Sequence, residues 1–140
     1  MTMKSRYAFF TITTVLLIFL QAACGVGLRT DPLNGTAWIL TYYDNTPPLM
    51  GTILTVEFND GQIGGSSGCN SYGGTYKIKG EKITTDSIAM TLMACVDPGV
   101  MEQEQTFLDY LQNAQIFKLR SGQLQIFQSE GKALIFVPKK

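Results

Sequence analysis

The chain has 140 residues, 45% of them hydrophobic and 16% charged, which suits one compact domain and leaves little room for two. Eleven basic residues balance eleven acidic ones, so composition offers no basic footprint for nucleic acid. Histidine is absent, which excludes a Ser-His-Asp or Cys-His arrangement and any zinc site built on imidazole. Catalysis would have to rest on carboxylates, tyrosines, lysines or a cysteine, and the chain reads as non-enzymatic.

Residues 1–6 carry Lys4 and Arg6 and no acid, and an apolar run follows over residues 7–20. Small residues then close on Cys24, so residues 1–23 read as an export signal peptide. Leu20-Gln21-Ala22-Ala23-Cys24 resembles a bacterial lipobox, in which the enzyme cuts before a lipidated cysteine; Gln21 departs from it, standing where an aliphatic residue is usual. Lipidation of Cys24 is the expectation, with ordinary cleavage near Ala22 or Ala23 and an uncleaved anchor as alternatives. Gly25 follows in place of the aspartate that retains lipoproteins at the inner membrane. The implied location is the cell envelope: lipid-anchored, at the outer membrane facing the periplasm if the cell is Gram-negative. Residues 24–33 lack periodicity and read as a tether, with the domain over residues 34–140. Loss of Lys4 and Arg6 leaves nine basic against eleven acidic residues, a net of −2 that argues against a polyanionic partner.

Residues 36–43 place Trp38, Leu40 and Tyr42 on one face at period two, the pattern of a strand. Residues 52–58 alternate with Leu54, Val56 and Phe58 inward, and Asn59-Asp60-Gly61 is a turn signal. Residues 64–74 hold five glycines around Cys69, too many for an ordinary hairpin turn and suggestive of close backbone approach. Residues 75–79 and 82–91 follow as strands, and the opposite parity of Ile83 and Ile88 predicts a bulge between them.

Asp97-Pro98 then signals a helix start with Asp97 as the N-cap. Val100, Glu104, Phe107, Leu111 and Ala114 form one stripe, with Gln103, Gln105, Asp109 and Gln112 expected to face water. Strands at 115–120, 123–128 and 132–137 finish the chain, the last apolar on both faces. The fold class is mainly β (α+β): a curved, partly closed antiparallel β-barrel with one amphipathic helix.

Three stretches now carry a family resemblance. They are Leu33-Asn34-Gly35-Thr36-Ala37-Trp38-Ile39-Leu40, Gly68-Cys69-Asn70-Ser71-Tyr72-Gly73-Gly74-Thr75-Tyr76 and Ile88-Ala89-Met90-Thr91-Leu92-Met93-Ala94-Cys95. Together they resemble the META/HslJ-like domain of bacterial envelope proteins, over roughly residues 33–137. The resemblance implies a small cracked barrel with a helix, often lipid-anchored and sometimes stress-associated, and it implies no catalytic residues.

In an oxidising compartment Cys69 and Cys95 are an even pair once Cys24 is lipidated, so a disulfide is the default. Two unpaired buried thiols and a redox or metal role remain the alternatives. Asn70 and Tyr72 are candidate binding residues, weighed against a turn role and a packing role. Asp86, Glu102, Glu104 and Asp109 read as solvated acids, and Met90, Met93 and Met101 as core filling before any soft-metal role. No cofactor and no metal are expected. The function expected is a stress-associated binding or assembly-support module of the envelope, held to the membrane by its lipid and partnered by another envelope protein. The runners-up are a carrier of an acyl chain or small apolar ligand, and a peptidase inhibitor.

Overall fold

The computed structural model describes residues 31–140. Cys24 and the expected signal peptide lie outside the described residues. Among the described residues eight strands are present: β1 (Thr36–Tyr43), β2 (Thr55–Asn59), β3 (Gln62–Ser66), β4 (Ser71–Lys79), β5 (Lys82–Met90), β6 (Ile116–Arg120), β7 (Gln123–Phe127) and β8 (Ala133–Pro138). One helix, α1 (Val100–Gln112), stands between β5 and β6. Each strand pairs antiparallel with the next, and β8 pairs back onto β1, so the sheet is a closed up-and-down barrel.

Closure is uneven around the ring. β1 and β8 share five paired positions, from Trp38↔Pro138 to Tyr43↔Leu134. β5 and β6 meet only at Lys82↔Ile116, supported by hydrogen bonds from Ile83 N to the Gln115 carbonyl at 3.0 Å and from Phe117 N to the Glu81 carbonyl at 2.9 Å. α1 occupies the rest of that seam, where the Thr85 hydroxyl donates to the Leu111 carbonyl at 2.6 Å.

The interior is filled by side chains at alternate strand positions. Trp38, Leu40, Val56, Phe58, Leu124, Ile126, Leu134 and Phe136 are all buried, as period two requires. Phe107 reaches in from α1 and packs edge-on against Tyr72 of β4 (5.7 Å between centroids) and Phe136 of β8 (6.4 Å). One helical side chain thus bridges opposite walls, and burying it contributes on the order of 2–3 kcal/mol.

Several expectations need amendment. The expected bulge is present where Asp86↔Thr75 gives way to Ala89↔Gly73, with Ser87 at φ 56°. Asp97 is not a side-chain cap: α1 begins after Gly99, at φ 81°, and Asp97 offers only its carbonyl, to Val100 N at 3.3 Å. The glycine-rich stretch is mostly strand, with Gly64 and Gly65 in β3 facing Gly73 and Tyr72 of β4. The last residues of the expected tether belong to the barrel. Leu33 is fully buried and Asp31 accepts a hydrogen bond from the Tyr76 hydroxyl, so the compact unit starts at Asp31 and not at residue 34.

The up-and-down order gives the barrel two ends. The links β1–β2, β3–β4 and β5–α1 share the upper end. The short turns β2–β3, β4–β5 and β6–β7 share the lower end, where the chain also enters: Gly35 N donates to the Phe58 carbonyl at 2.8 Å.

Candidate functional site

The residues singled out by the sequence meet at the upper end, around a carboxylate. β3 approaches β2 closely enough that a Cβ on Gly65 would lie 2.3 Å from the Thr55 carbonyl oxygen, and Gly65 sits at φ 152°. Only glycine fits there without displacing backbone. This approach delivers residues 67–70 beneath α1, where Ser67 N donates to the Asn70 carbonyl at 2.8 Å.

Glu104 descends from α1 into that loop and is 1% exposed. Its Oε2 accepts from the Ser67 hydroxyl at 2.6 Å and from Asn70 N at 2.8 Å. Its Oε1 accepts from Asn70 Nδ2 at 2.7 Å. The Ser67 hydroxyl also lies 2.8 Å from the Asn70 carbonyl, but its single hydrogen serves the carboxylate, the stronger acceptor. Burial pushes the Glu104 pKa up; hydrogen bonds from Ser67, the Asn70 backbone, the Asn70 side chain and the Cys69 backbone outweigh it, and the net direction is down. Glu104 is therefore ionised at neutral pH and saturated with donors.

Asn70 carries the connection onward. Its Oδ1 accepts from the Thr91 hydroxyl at 2.7 Å and from Met93 N at 2.8 Å, while Nδ2 also reaches the Met93 carbonyl at 3.3 Å. Beside it Cys69 and Cys95 are joined as a disulfide, with Cα atoms 6.3 Å apart, inside the usual span for such bonds. One helical position earlier, Gln103 accepts from Leu49 N at 2.6 Å and donates to the Thr52 hydroxyl at 3.0 Å. Three separate links are thus tied to the first turns of one helix.

This arrangement does not suit catalysis or ligand capture. A general acid or base needs a pKa near the working pH and access to substrate, and Glu104 has neither. Asn70 is 1% exposed, with every side-chain polar atom paired inside the protein. Tyr72 lies apart from it, pointing into the core, where its hydroxyl donates to the Thr55 carbonyl at 2.8 Å. Burial, then the Glu57 charge, push its pKa up. Asn70 and Tyr72 are interior braces; the candidate binding role fails because neither turns a free polar atom outward.

Sequence reasoning missed Glu104 and Gln103, which it placed in water; both are buried. The signal was present in the stripe, where an acid stood among Val100, Phe107 and Leu111. Glu102 and Asp109 are exposed, as is Asp86 on β5. Met93 and Met101 are exposed, and Met90 packs against the core. Among the described residues no group of three or more Cys, Asp or Glu could hold a metal ion.

A surface groove lies beside the helix. It has a volume of about 440 Å³ and runs between Met90 and the outer side of α1 past Gln105, Asp109 and Gln112, and none of the buried aromatic residues line it. The upper rim is apolar. Met50, Ile53, Leu92, Met93 and Val96 are exposed there, in the two links that flank the disulfide. Leu49 lies against Gly99, which brings those links into contact.

Comparisons with known proteins agree with this architecture. The sequence matches the META domain family over residues 31–140. Among solved structures, a protein from Burkholderia xenovorans determined by NMR superposes with a TM-score of 0.64 at 24% identity, covering 86% of this chain and 98% of that one. A second NMR structure gives 0.62 at 25% identity, covering 75% and 90%. A DUF4847 family protein from Bacteroides vulgatus gives 0.54 at 16% identity, covering 76% and 94%. The likenesses at 24% and 16% identity speak to fold alone. No curated protein matches the sequence.

Proposed function

The chain belongs to the META domain family, and on that premise we propose that it is a non-enzymatic, lipid-anchored envelope protein whose barrel binds and supports another envelope protein. The apolar upper rim carries the reading. Seven of the ten exposed large apolar side chains among the described residues lie in the β1–β2 link, the β5–α1 link or the first turn of α1. Soluble surfaces rarely gather such side chains unless something covers them. The hub and the disulfide beneath that rim hold it in one shape, which lowers the ordering cost of binding. A filled interior favours this reading over an acyl or small-ligand carrier. The lipid anchor rests on the Cys24 sequence pattern, and the stress association on the family resemblance alone.

The test is site-specific photocrosslinking in cells, with the crosslinker at Val96 or at Gln123 of the lower end. Val96 is expected to give a discrete protein adduct that Gln123 does not. Equal labelling from both ends, or none from Val96, rejects the reading. Mass spectrometry of the mature protein checks the anchor separately, since Cys24→Ala should abolish any acylated species.

A further inference from the structure

The small net charge conceals how the charges are placed. Lys79 and Lys82 flank the β4–β5 turn, and Lys118 and Arg120 run into the β6–β7 turn. These stretches are far apart in sequence. The Lys82↔Ile116 pairing and the Phe117 N to Glu81 carbonyl bond set the β4–β5 tip beside Phe117 and Lys118 at the start of β6, from which β6 runs on to its own turn at the lower end. Lys79, Lys82 and Arg120 are exposed and Lys118 is half-buried over the Phe127 ring. None of the four is in a salt bridge among the described residues, where Lys139 pairs with Glu57. Glu81 is the acid within the cluster. Ile116, exposed, shares the outer face of β6 with Lys118 and Arg120, and Leu119, also exposed, turns to the other face at the lower mouth, opposite Leu124. Cationic side chains beside exposed aliphatic ones suit a membrane interface, where the charges meet anionic headgroups and the aliphatic groups enter the boundary.

The path of the chain points the same way. The Tyr76 hydroxyl donates to Asp31, holding the first described residue at this end, one position before Lys77 on β4. Six residues lie between Cys24 and Asp31, seven Cα steps with a reach of at most about 25 Å. Attraction to a charged surface fades within a Debye length of about 8–10 Å. Asp97 and Glu102 sit at the other end, beyond strands that run roughly 25 Å. They scarcely weaken it, whereas Asp31 and Asp60 share the lower end, Asp60 in the β2–β3 turn across the ring from β6 and β7. The net of −2 that argued against a polyanion therefore misleads, because a surface reads only the end that faces it.

We propose that the β4–β5 and β6–β7 tips dock on anionic phospholipid headgroups of the leaflet that holds the anchor, standing the barrel on its lower end with the apolar rim turned away. The orientation rests on the lipid-anchored reading of Cys24; the docking face does not. Two measurements separate them. In the first, the acylated full-length mature protein is placed in vesicles of phosphatidylcholine with or without phosphatidylglycerol, with a depth-sensitive fluorophore on Gln123→Cys or Met50→Cys. The Gln123 probe should approach the headgroups only with phosphatidylglycerol, and withdraw on Lys79→Glu/Lys82→Glu/Lys118→Glu/Arg120→Glu. A Met50 probe that lies closer overturns the orientation. In the second, the unacylated mature chain is co-sedimented with the same vesicles. Each basic residue is worth on the order of fivefold in binding, so anionic vesicles should bind at least tenfold tighter, and 0.5 M salt should abolish the difference. Equal binding to neutral vesicles, or binding to heparin with none to phosphatidylglycerol, overturns the docking face whether or not Cys24 is acylated. Unchanged circular dichroism checks that the charge-reversed variant is folded.

Discussion

The two ends of this barrel are held by different physics. At the lower end, strands are joined by two-residue turns, Asp60-Gly61, Gly80-Glu81 and Ser121-Gly122, whose geometry is set by the residues within them. At the upper end the links are long, and their order comes from partners distant in sequence: Glu104 with Ser67 and Asn70, Asn70 with Met93, and Cys69 with Cys95. Short turns close themselves; long links need a centre. A substitution should therefore be cheap at the lower end and spread at the upper.

The largest effect should come from removing that centre. Glu104→Ala leaves Asn70 N and one Nδ2 hydrogen of Asn70 buried without an acceptor, with the Ser67 hydroxyl falling back on the Asn70 carbonyl, and should cost about 3–5 kcal/mol by urea denaturation at pH 7. A loss below about 1 kcal/mol would show that the upper end does not depend on the carboxylate. The same residue should give the wild-type protein an acid sensitivity. Its pKa is lowered in the folded state from the ordinary 4.5, so its stabilisation is fully present above that value and is lost as pH falls through the lower folded value. Glu104→Gln should flatten that part of the stability–pH curve.

Next in size is the disulfide. Reduction, or Cys69→Ala/Cys95→Ala, reopens a crosslink spanning 26 residues and should cost up to about 3.5 kcal/mol on the chain-entropy account. Hydrogen exchange should rise first at Thr91 and Met93, while the lower turns keep their protection. Uniform exchange at both ends would deny the two ends their independence. The smallest effect belongs to the lower end. Gly122→Ala meets no neighbouring atom but must hold φ 76°, so it should cost about 1 kcal/mol and leave upper-end exchange unchanged.

Much of the fold was legible because its causes are local. Alternation in residues 36–43 located β1 to the residue, and the parity break between Ile83 and Ile88 revealed the β5 bulge. Cys69 and Asn70 also stood out, through their glycine neighbours. Their partner on the helix did not. A period of 3.6 puts Glu104 on the buried stripe, but an acid is buried only where donors await it, and those donors lie more than thirty positions earlier.

By itself, then, the sequence determined the strand alternation, the short turns, the helix and the family, because each depends on neighbouring residues or on a contiguous motif. Tertiary structure alone decided that the ring closes, that Leu33 plugs its lower mouth, and that Glu104 and Gln103 are interior. It also decided that Lys79, Lys82, Lys118 and Arg120 share one end. Burial and electrostatics depend on distance in space, and the pairing of β5 with β6 is what brings those distant stretches together.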